Sequence, residues 1–182
     1  MPSAIAHGLF GAALSSLLPR RQRAKWVVAL LAALAAAPDL DVVAFRLGIP
    51  YEHPLGHRGV THSLFFAACV ALASIPFWRR ALQASAGAAS LLTFVAVASH
   101  GVLDTFTDAG RGIGLFIPFD NDRYFAPWRP ILTSPLSASR FLSERGLAIL
   151  QNEVRWVGVP TLAFVATVAA ARSILRARRD AA

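Results

Sequence analysis

The feature that most constrains this chain is a set of apolar runs long enough to cross or line a membrane. The clearest is GAASLLTFVAVASHGVL at residues 87–103, which approaches the roughly 20 apolar residues of a membrane-spanning helix. Charged residues make up only 15% of the 182 residues, against about 25% in a typical soluble domain. We therefore expect an integral membrane protein with a single domain over residues 1–182.

Five apolar segments predict helices. They are Ala4–Leu18, Trp26–Ala37, Thr61–Trp78, Gly87–Leu103 and Val154–Ala171. The fourth is long enough to span a membrane, the third and fifth are marginal, and the first two are short. Residues 105–153 are polar and contain glycine, proline and aromatic residues, which indicates an ordered loop. The sequence thus predicts an all-α membrane bundle of about four to five hydrophobic helices with one long ordered loop (105–153).

Arginine clusters follow every second segment, at residues 20–25, 79–80 and 172–179. If successive segments cross the membrane in opposite directions, all three clusters lie on one face. The positive-inside rule makes that face cytoplasmic and places the 105–153 loop on the other side. Membrane topology then accounts for the net charge of +8, and we expect no nucleic-acid partner.

Histidine and aspartate residues fall at the opposite ends of the same segments. They are His7, Asp39, Asp41, His57, His62, His100 and Asp104. His100 and Asp104 are four residues apart, so one helix presents both on one face. Each residue alone is more often a hydrogen-bonded interfacial group or a helix-end feature. Together they favour a shared metal site, because such groups beside apolar helices are costly unless paired or functional.

The ligand types indicate which metal to expect. Imidazole and carboxylate without thiolate favour Zn²⁺, with Mn²⁺ or Fe²⁺ as alternatives. Seven candidates exceed the needs of one catalytic zinc ion, so either two ions share them or some residues orient the ligands. Cys69 is the one cysteine, which excludes an intrachain disulfide and a cysteine-based zinc site.

Four motifs carry a family resemblance: AHGLFG at 6–11, PDLD at 38–41, HRGVTHS at 57–63 and HGVLD at 100–104. At these residues the chain resembles the YdjM-like, LexA-regulated family of inner-membrane-associated metal-dependent hydrolases. The pattern is also similar to a shortened version of the zinc-dependent phospholipase C and single-strand nuclease fold. The resemblance implies a set of metal ligands, with His57 and Asp41 close by: His7, Asp39, His62, His100 and Asp104.

The expected number of ions follows from one difference between this chain and the soluble zinc-dependent phospholipase C and nuclease enzymes. They carry a further HxxxE-type pair, whereas this chain has no histidine after His100. One or two ions are therefore expected rather than three. We keep His57 among the candidate ligands.

The sequence therefore predicts a membrane-bound hydrolase that uses a metal-bound hydroxide against a phosphoester, such as a phospholipid. Asp39 or Asp41 would be the base, and Arg58 is a catalytic candidate because it lies between two proposed ligands. The expected location is the bacterial inner membrane, in contact with lipids, with the site on the non-cytoplasmic face. Two alternatives stay open: a non-enzymatic membrane protein with a structural metal site, and a metal or ion transporter.

The loop after Asp104 also offers two interpretations. Arg123 and Arg129 could bind a phosphate by charge-assisted hydrogen bonds. Alternatively, Tyr124, Phe125 and Trp128 could form an aromatic belt at the membrane interface, with the arginines at lipid headgroups.

Overall fold

The computed structural model describes residues 1–82, 85–135 and 137–181. Within these residues the regular secondary structure is helical, and two isolated β-bridges tie the long loop together. The helices are α1 (Ala4–Leu14), α2 (Lys25–Ala36), α3 (Val43–Arg46), α4 (Leu64–Ala73), α5 (Ile75–Leu82), α6 (Ala86–Thr105), α7 (Ala138–Phe141), α8 (Glu144–Glu153) and α9 (Val159–Asp180). Short 3₁₀ turns cover Ser15–Leu17, Arg20–Gln22, Ala37–Val42 and Val60–His62, and a π-helical turn at Val154–Gly158 joins α8 to α9.

Three helical stretches are long and apolar enough to cross a membrane: Lys25–Arg46, Ala86–Thr105 and Glu144–Asp180. Helices α4 and α5 together form a fourth candidate span, bent by 47°. Ala4–Leu17 is a shorter apolar helix. These elements confirm the predicted all-α membrane bundle and roughly match its predicted number of hydrophobic helices.

The second predicted segment is longer than the sequence indicated. We expected it to end at Ala37, but the helical path continues through the 3₁₀ turn and α3 to Arg46. Pro38 lies in the first turn of the 3₁₀ helix, where its missing N–H breaks no hydrogen bond. The PDLD motif therefore lies within a candidate span rather than beyond its end.

The third predicted segment, Thr61–Trp78, is divided. Helix α4 ends at Ala73 and α5 begins at Ile75, with the 47° bend between them. Pro76 lies just after the break and lacks the backbone N–H that a continuous helix would need. The sequence analysis did not predict this bend.

The last predicted segment begins earlier than expected. Its helical path starts at Glu144 rather than Val154 and runs to Asp180, so residues 144–153 do not belong to the loop. Helix α8 buries one face, including Ile149 and Glu153, and exposes the other. An amphipathic helix of this kind lacks a continuous apolar run, which is why the loop was predicted ten residues too long.

The direction of the helices brings the predicted site residues together. Helix α1 begins at the same end of the bundle at which α2 and α6 finish, so His7, Asp39 and Asp104 meet there. Helices α1 and α2 approach closely at Gly11, where an added Cβ would lie 2.4 Å from the Leu31 carbonyl oxygen. Small residues in AHGLFG therefore permit close packing of this helix pair.

Candidate metal centre

Four side chains from three elements form a group that could hold a metal ion: Asp39, His62, His100 and Asp104. One ligand atom from each lies within 4.8 Å of all the others. His100 Nε2 is 3.1 Å from Asp39 Oδ1, and His62 Nε2 is 3.6 Å from that oxygen and 3.8 Å from Asp104 Oδ2. Neighbouring ligands around a tetrahedral zinc ion lie about 3.3 Å apart, so these separations suit a first-row divalent ion.

Several buried atoms in this group have no hydrogen-bond partner within the described residues. They are His62 Nε2, Asp39 Oδ2 and both carboxylate oxygens of Asp104. An unsatisfied buried polar atom costs about 1–3 kcal/mol, and more when charged. Folded proteins rarely leave several such atoms together. Their concentration at one point therefore fits residues that bind a cation.

Hydrogen bonds orient the two histidines of the group. His100 Nδ1 lies 2.7 Å from the Ala35 carbonyl oxygen, and a carbonyl can only accept, so Nδ1 carries the proton. His62 Nδ1 lies 3.1 Å from Asp41 Oδ2. Each contact occupies Nδ1 and leaves Nε2 directed toward the group, the arrangement that is usual for histidines that bind metals.

Asp41 connects the PDLD and HRGVTHS motifs. Its carboxylate accepts hydrogen bonds from the Arg58 backbone N–H at 3.0 Å and the Thr61 hydroxyl at 2.6 Å. Its Oδ1 also lies 2.6 Å from His57 Nδ1. The structure thus places Asp41 behind His62, and places His57 against Asp41, with both outside the group of four ligand candidates.

The neighbouring carboxylates change the protonation of His62. Burial lowers the pKa of this imidazole, but hydrogen bonding to the Asp39 and Asp41 carboxylates outweighs burial and raises the pKa of His62 to about 9. A metal ion at Nε2 would therefore displace a proton, and its binding should strengthen as the pH rises toward that value.

His7 lies beside the group. Its ring stacks on His100 with centroids 3.7 Å apart, and its Nε2 is 3.3 Å from Asp104 Oδ1. The ring is fully buried, and neither of its nitrogens has a hydrogen-bond partner among the described residues. His7 thus contacts both Asp104 and His100 without belonging to the group of four ligand candidates.

Arg58 is buried and its guanidinium pairs with the Asp104 carboxylate and with the loop that follows α6. Its Nε lies 3.2 Å from Asp104 Oδ2 as an ion pair, and Nη1 donates to the Ala109 carbonyl oxygen at 3.2 Å. Its backbone has a φ of 61°, which is uncommon for a residue with a side chain. Arg58 is only 2% exposed, and its guanidinium offsets the charge of Asp104.

The YdjM inner membrane protein family matches residues 1–177 of this chain. The chain belongs to the YdjM family. Inner membrane protein YbcI of Escherichia coli (strain K12) is 39% identical over 127 residues, which are 70% of this chain and 73% of that protein. These relatives support a bacterial inner-membrane location. No solved structure matches the chain, so the likeness to the phospholipase C and nuclease fold has no support.

Sequence reasoning missed Gly101, which lies next to His100 in the HGVLD motif. A Cβ at Gly101 would lie 2.2 Å from the His62 carbonyl oxygen. A glycine is therefore needed for α6 to approach the turn that carries His62. The only signal in the sequence was the position of this glycine beside a predicted ligand.

A second missed residue is Glu153, at the end of α8. Its carboxylate accepts hydrogen bonds from the backbone N–H and the hydroxyl of Ser3, the latter at 2.7 Å. Ser3 in turn caps α1, the helix that carries His7. Ser3 and Glu153 are 150 positions apart, and no sequence pattern links them.

The loop arginines have structural partners. Arg123 donates to the carbonyl oxygens of Tyr51, His57 and Arg58, and so holds the HRGVTHS loop in place. Arg129 lies over the Phe125 ring at 4.7 Å. These partners are not members of the group of four ligand candidates, so the phosphate-binding interpretation of this loop gains no support.

Asp39 is the most accessible member of the group, with 11% of its side chain exposed. It lines a cavity of about 350 Å³ between the start of α1 and the segment around α7. Most of the other lining side chains are apolar, including Ala4, Ile5, Val42, Pro135 and Phe141. A ligand in this cavity would meet the Asp39 side of the group.

Proposed function

We propose that this inner membrane protein is a metal-dependent hydrolase whose ion is held by Asp39, His62, His100 and Asp104. The observation that carries the proposal is the gathering of buried ligand atoms without hydrogen-bond partners in the described residues. Two imidazoles and two carboxylates suit Zn²⁺, with Mn²⁺ or Fe²⁺ as alternatives. We propose one ion, because the described residues form one group of this kind.

When bound, the ion would polarise a substrate oxygen and lower the pKa of a water molecule from 15.7 toward about 7. Asp39 lies between the group and the cavity, and its Oδ2 has no hydrogen-bond partner in the described residues. That oxygen would accept the proton of the attacking water. Asp41 would orient His62, and Arg58 would hold Asp104, so both act as positioning residues.

We propose a phosphoester of a membrane lipid as the substrate. The cavity beside Asp39 has mainly apolar walls, which suit part of an amphipathic molecule. It lies at an end of the bundle, where a lipid headgroup can approach without crossing the apolar helices. A cationic centre next to a carboxylate base is suited to the oxygens of a phosphoester.

We also propose that the site faces the non-cytoplasmic side, because it lies at the end opposite the arginine clusters. Single cysteines introduced at Arg20 and Asn121 in Cys69→Ala protein would test this, because Cys69 is the one native cysteine and is exposed. A membrane-impermeant reagent should label Asn121→Cys from outside and Arg20→Cys only after permeabilisation. Labelling of both from the same side would contradict this topology.

A structural metal site is the second candidate function. Four protein ligands would complete a tetrahedral zinc site, and His62, His100 and Asp104 are at most 1% exposed. Such a closed site would leave no position for water. A transport function has less support, because His62 lies just before α4 and Asp104 at the end of α6, rather than near the middle of these spans.

The hydrolytic activity of the metal-loaded wild type separates the two candidates. Elemental analysis should find about one equivalent of metal in the purified wild type, and hydrolysis should be measured with a generic phosphodiester and phospholipids in detergent and liposomes. We expect Asp39→Asn to lose at least about 100-fold in rate, and the exposed-acid control Asp122→Asn to keep it. A metal-loaded wild type that is inert toward the whole panel, with four protein ligands and no water by X-ray absorption, would favour the structural site.

A further inference from the structure

A cleft lies at the opposite end of the bundle, between the 3₁₀ turns that follow α1 and the second half of α9. It consists of two adjoining cavities of about 140 and 440 Å³. Arg20, Arg172 and Arg176 line both cavities. Residues some 150 positions apart in the sequence thus bring three guanidinium groups to one concave surface, far from the metal centre.

These arginines have no anionic partner within the described residues. The arginine ion pairs formed there are Arg58 with Asp104 and Arg111 with Glu52, both at the metal-centre end. Like charges that converge on a concavity repel one another and raise the local concentration of anions. The cleft is therefore built to attract a negatively charged group.

Ser16 provides a second, independent indication of a ligand. It lines the smaller cavity, is only 7% exposed, and its Oγ is buried without a hydrogen-bond partner in the described residues. Arg23 fixes the adjacent wall by donating to the Leu18 and Ser16 carbonyl oxygens, each at 2.8 Å. A free hydroxyl among guanidinium groups matches the oxygens of a phosphate.

Besides Arg23, Ser173 and Arg179, the remaining lining residues are apolar. Val165, Val168 and Ala169 on α9 face the smaller cavity, and Leu175 faces the larger one. We propose that this cleft binds an anionic phospholipid. Its phosphate would contact Arg20, Arg172, Arg176 and Ser16, and its acyl chains would follow the apolar face of α9 into the membrane. Basic pockets between membrane helices bind lipid headgroups by the same combination of charge and hydrophobic contact.

The test compares two triple variants with the same loss of charge at the same end of the bundle. Arg20→Gln, Arg172→Gln and Arg176→Gln together remove the cleft arginines. Arg79→Gln, Arg80→Gln and Arg178→Gln together remove arginines that do not line it. Native mass spectrometry of the full chain in neutral detergent would measure binding of phosphatidylglycerol, phosphatidylcholine and inorganic phosphate.

We expect wild type to bind phosphatidylglycerol at least about tenfold more tightly than phosphatidylcholine. The cleft variant should lose this preference. The control triple should bind phosphatidylglycerol within about twofold of wild type. An equal loss in both triples would show a general effect of positive charge and overturn the proposal. Retained preference in the cleft variant would also overturn it. Binding of inorganic phosphate as tight as that of the lipid would exclude a lipid-specific site.

A second pair of variants keeps all the arginines, and decides the matter if the cleft triple does not fold. Ala169→Trp places a large side chain in the smaller cavity, whereas Ala170→Trp adds the same side chain at an exposed neighbouring position outside the lining. We expect only Ala169→Trp to weaken phosphatidylglycerol binding, by at least about tenfold. Equal binding by both variants would overturn the proposal.

Discussion

The two ends of the bundle hold charge in opposite ways. At one end, aspartate, histidine and arginine side chains are buried against one another, and Asp104 is fully enclosed between His7, His62 and Arg58. At the other end, arginines lie at the surface without carboxylate partners in the described residues. The metal-centre end supplies most of its own counter-charges, whereas the arginine end depends on groups outside the protein.

This difference reflects the cost of burying charge. A buried charge is tolerated only when paired and hydrogen-bonded, and removing one partner leaves the other uncompensated. Exposed arginines avoid that cost by staying near water and lipid headgroups. Substitutions should therefore have large effects on stability at the metal-centre end and small ones at the arginine end.

The largest effect is expected for Asp104→Ala. The change removes a proposed metal ligand and leaves Arg58 buried without its carboxylate, which should cost about 3–5 kcal/mol of unfolding free energy. The matched control is Glu52→Ala, which breaks the Arg111–Glu52 pair, where both side chains are more than 60% exposed. That exposed pair should contribute about 1 kcal/mol or less.

Chemical denaturation in detergent, with elemental analysis of the same samples, would measure both variants. Metal should be lost in Asp104→Ala and kept in Glu52→Ala. Equal destabilisation by the two substitutions would contradict the expectation that the buried Arg58–Asp104 pair contributes more to stability than the exposed Arg111–Glu52 pair.

The next effect tests the close approach of α6 to His62. Gly101→Ala would force its Cβ to 2.2 Å from the His62 carbonyl oxygen, so the turn and its ligand must move. We expect about 1–3 kcal/mol of destabilisation and weaker metal binding. In the same helix, Gly87→Ala meets no atom within 4 Å and should be neutral or slightly stabilising. Unchanged metal binding in Gly101→Ala would show that the turn adapts.

How far the sequence could predict the two ends also differs. At the metal-centre end, alternation of the helices was enough to predict that His7, Asp39, His62, His100 and Asp104 would meet, and the structure brings them together. The division of roles was not predictable. Asp41 and His57 lie behind His62 because of the path of the HRGVTHS loop, including the positive φ of Arg58, and no spacing rule gives that path.

At the arginine end, composition predicted clusters on one face but not a cleft. The cleft depends on the 3₁₀ turns after α1 and on the length of α9, which continues to Asp180. The predicted segment ended at Ala171 because arginines interrupt the apolar run there, although arginine is a good helix former. Hydropathy therefore located the membrane-embedded part of this helix and missed its extension.

A smaller effect is expected behind the ligands, at Thr61. Its hydroxyl donates to Asp41 at 2.6 Å, and Asp41 orients His62. Thr61→Val keeps the shape of the side chain and removes this donor, so metal affinity should fall about 10–100-fold, as for other residues that orient metal ligands. Thr167→Val, whose hydroxyl bonds only within exposed α9, is the control. Competition with a metal indicator would measure both, and equal affinities would argue against the role given to Asp41.

The smallest effect is expected for Arg172→Gln in neutral detergent. With no carboxylate paired to Arg172 in the described residues, its loss should change the unfolding free energy by less than about 0.5 kcal/mol. Anionic lipid should alter that result, because a ligand that binds only the folded state stabilises it. Adding phosphatidylglycerol should raise the melting temperature of wild type more than that of Arg172→Gln, while phosphatidylcholine should affect the two equally. A large loss of stability in neutral detergent alone would mean that the arginine end has an internal partner for this charge, and the contrast between the two ends would not hold.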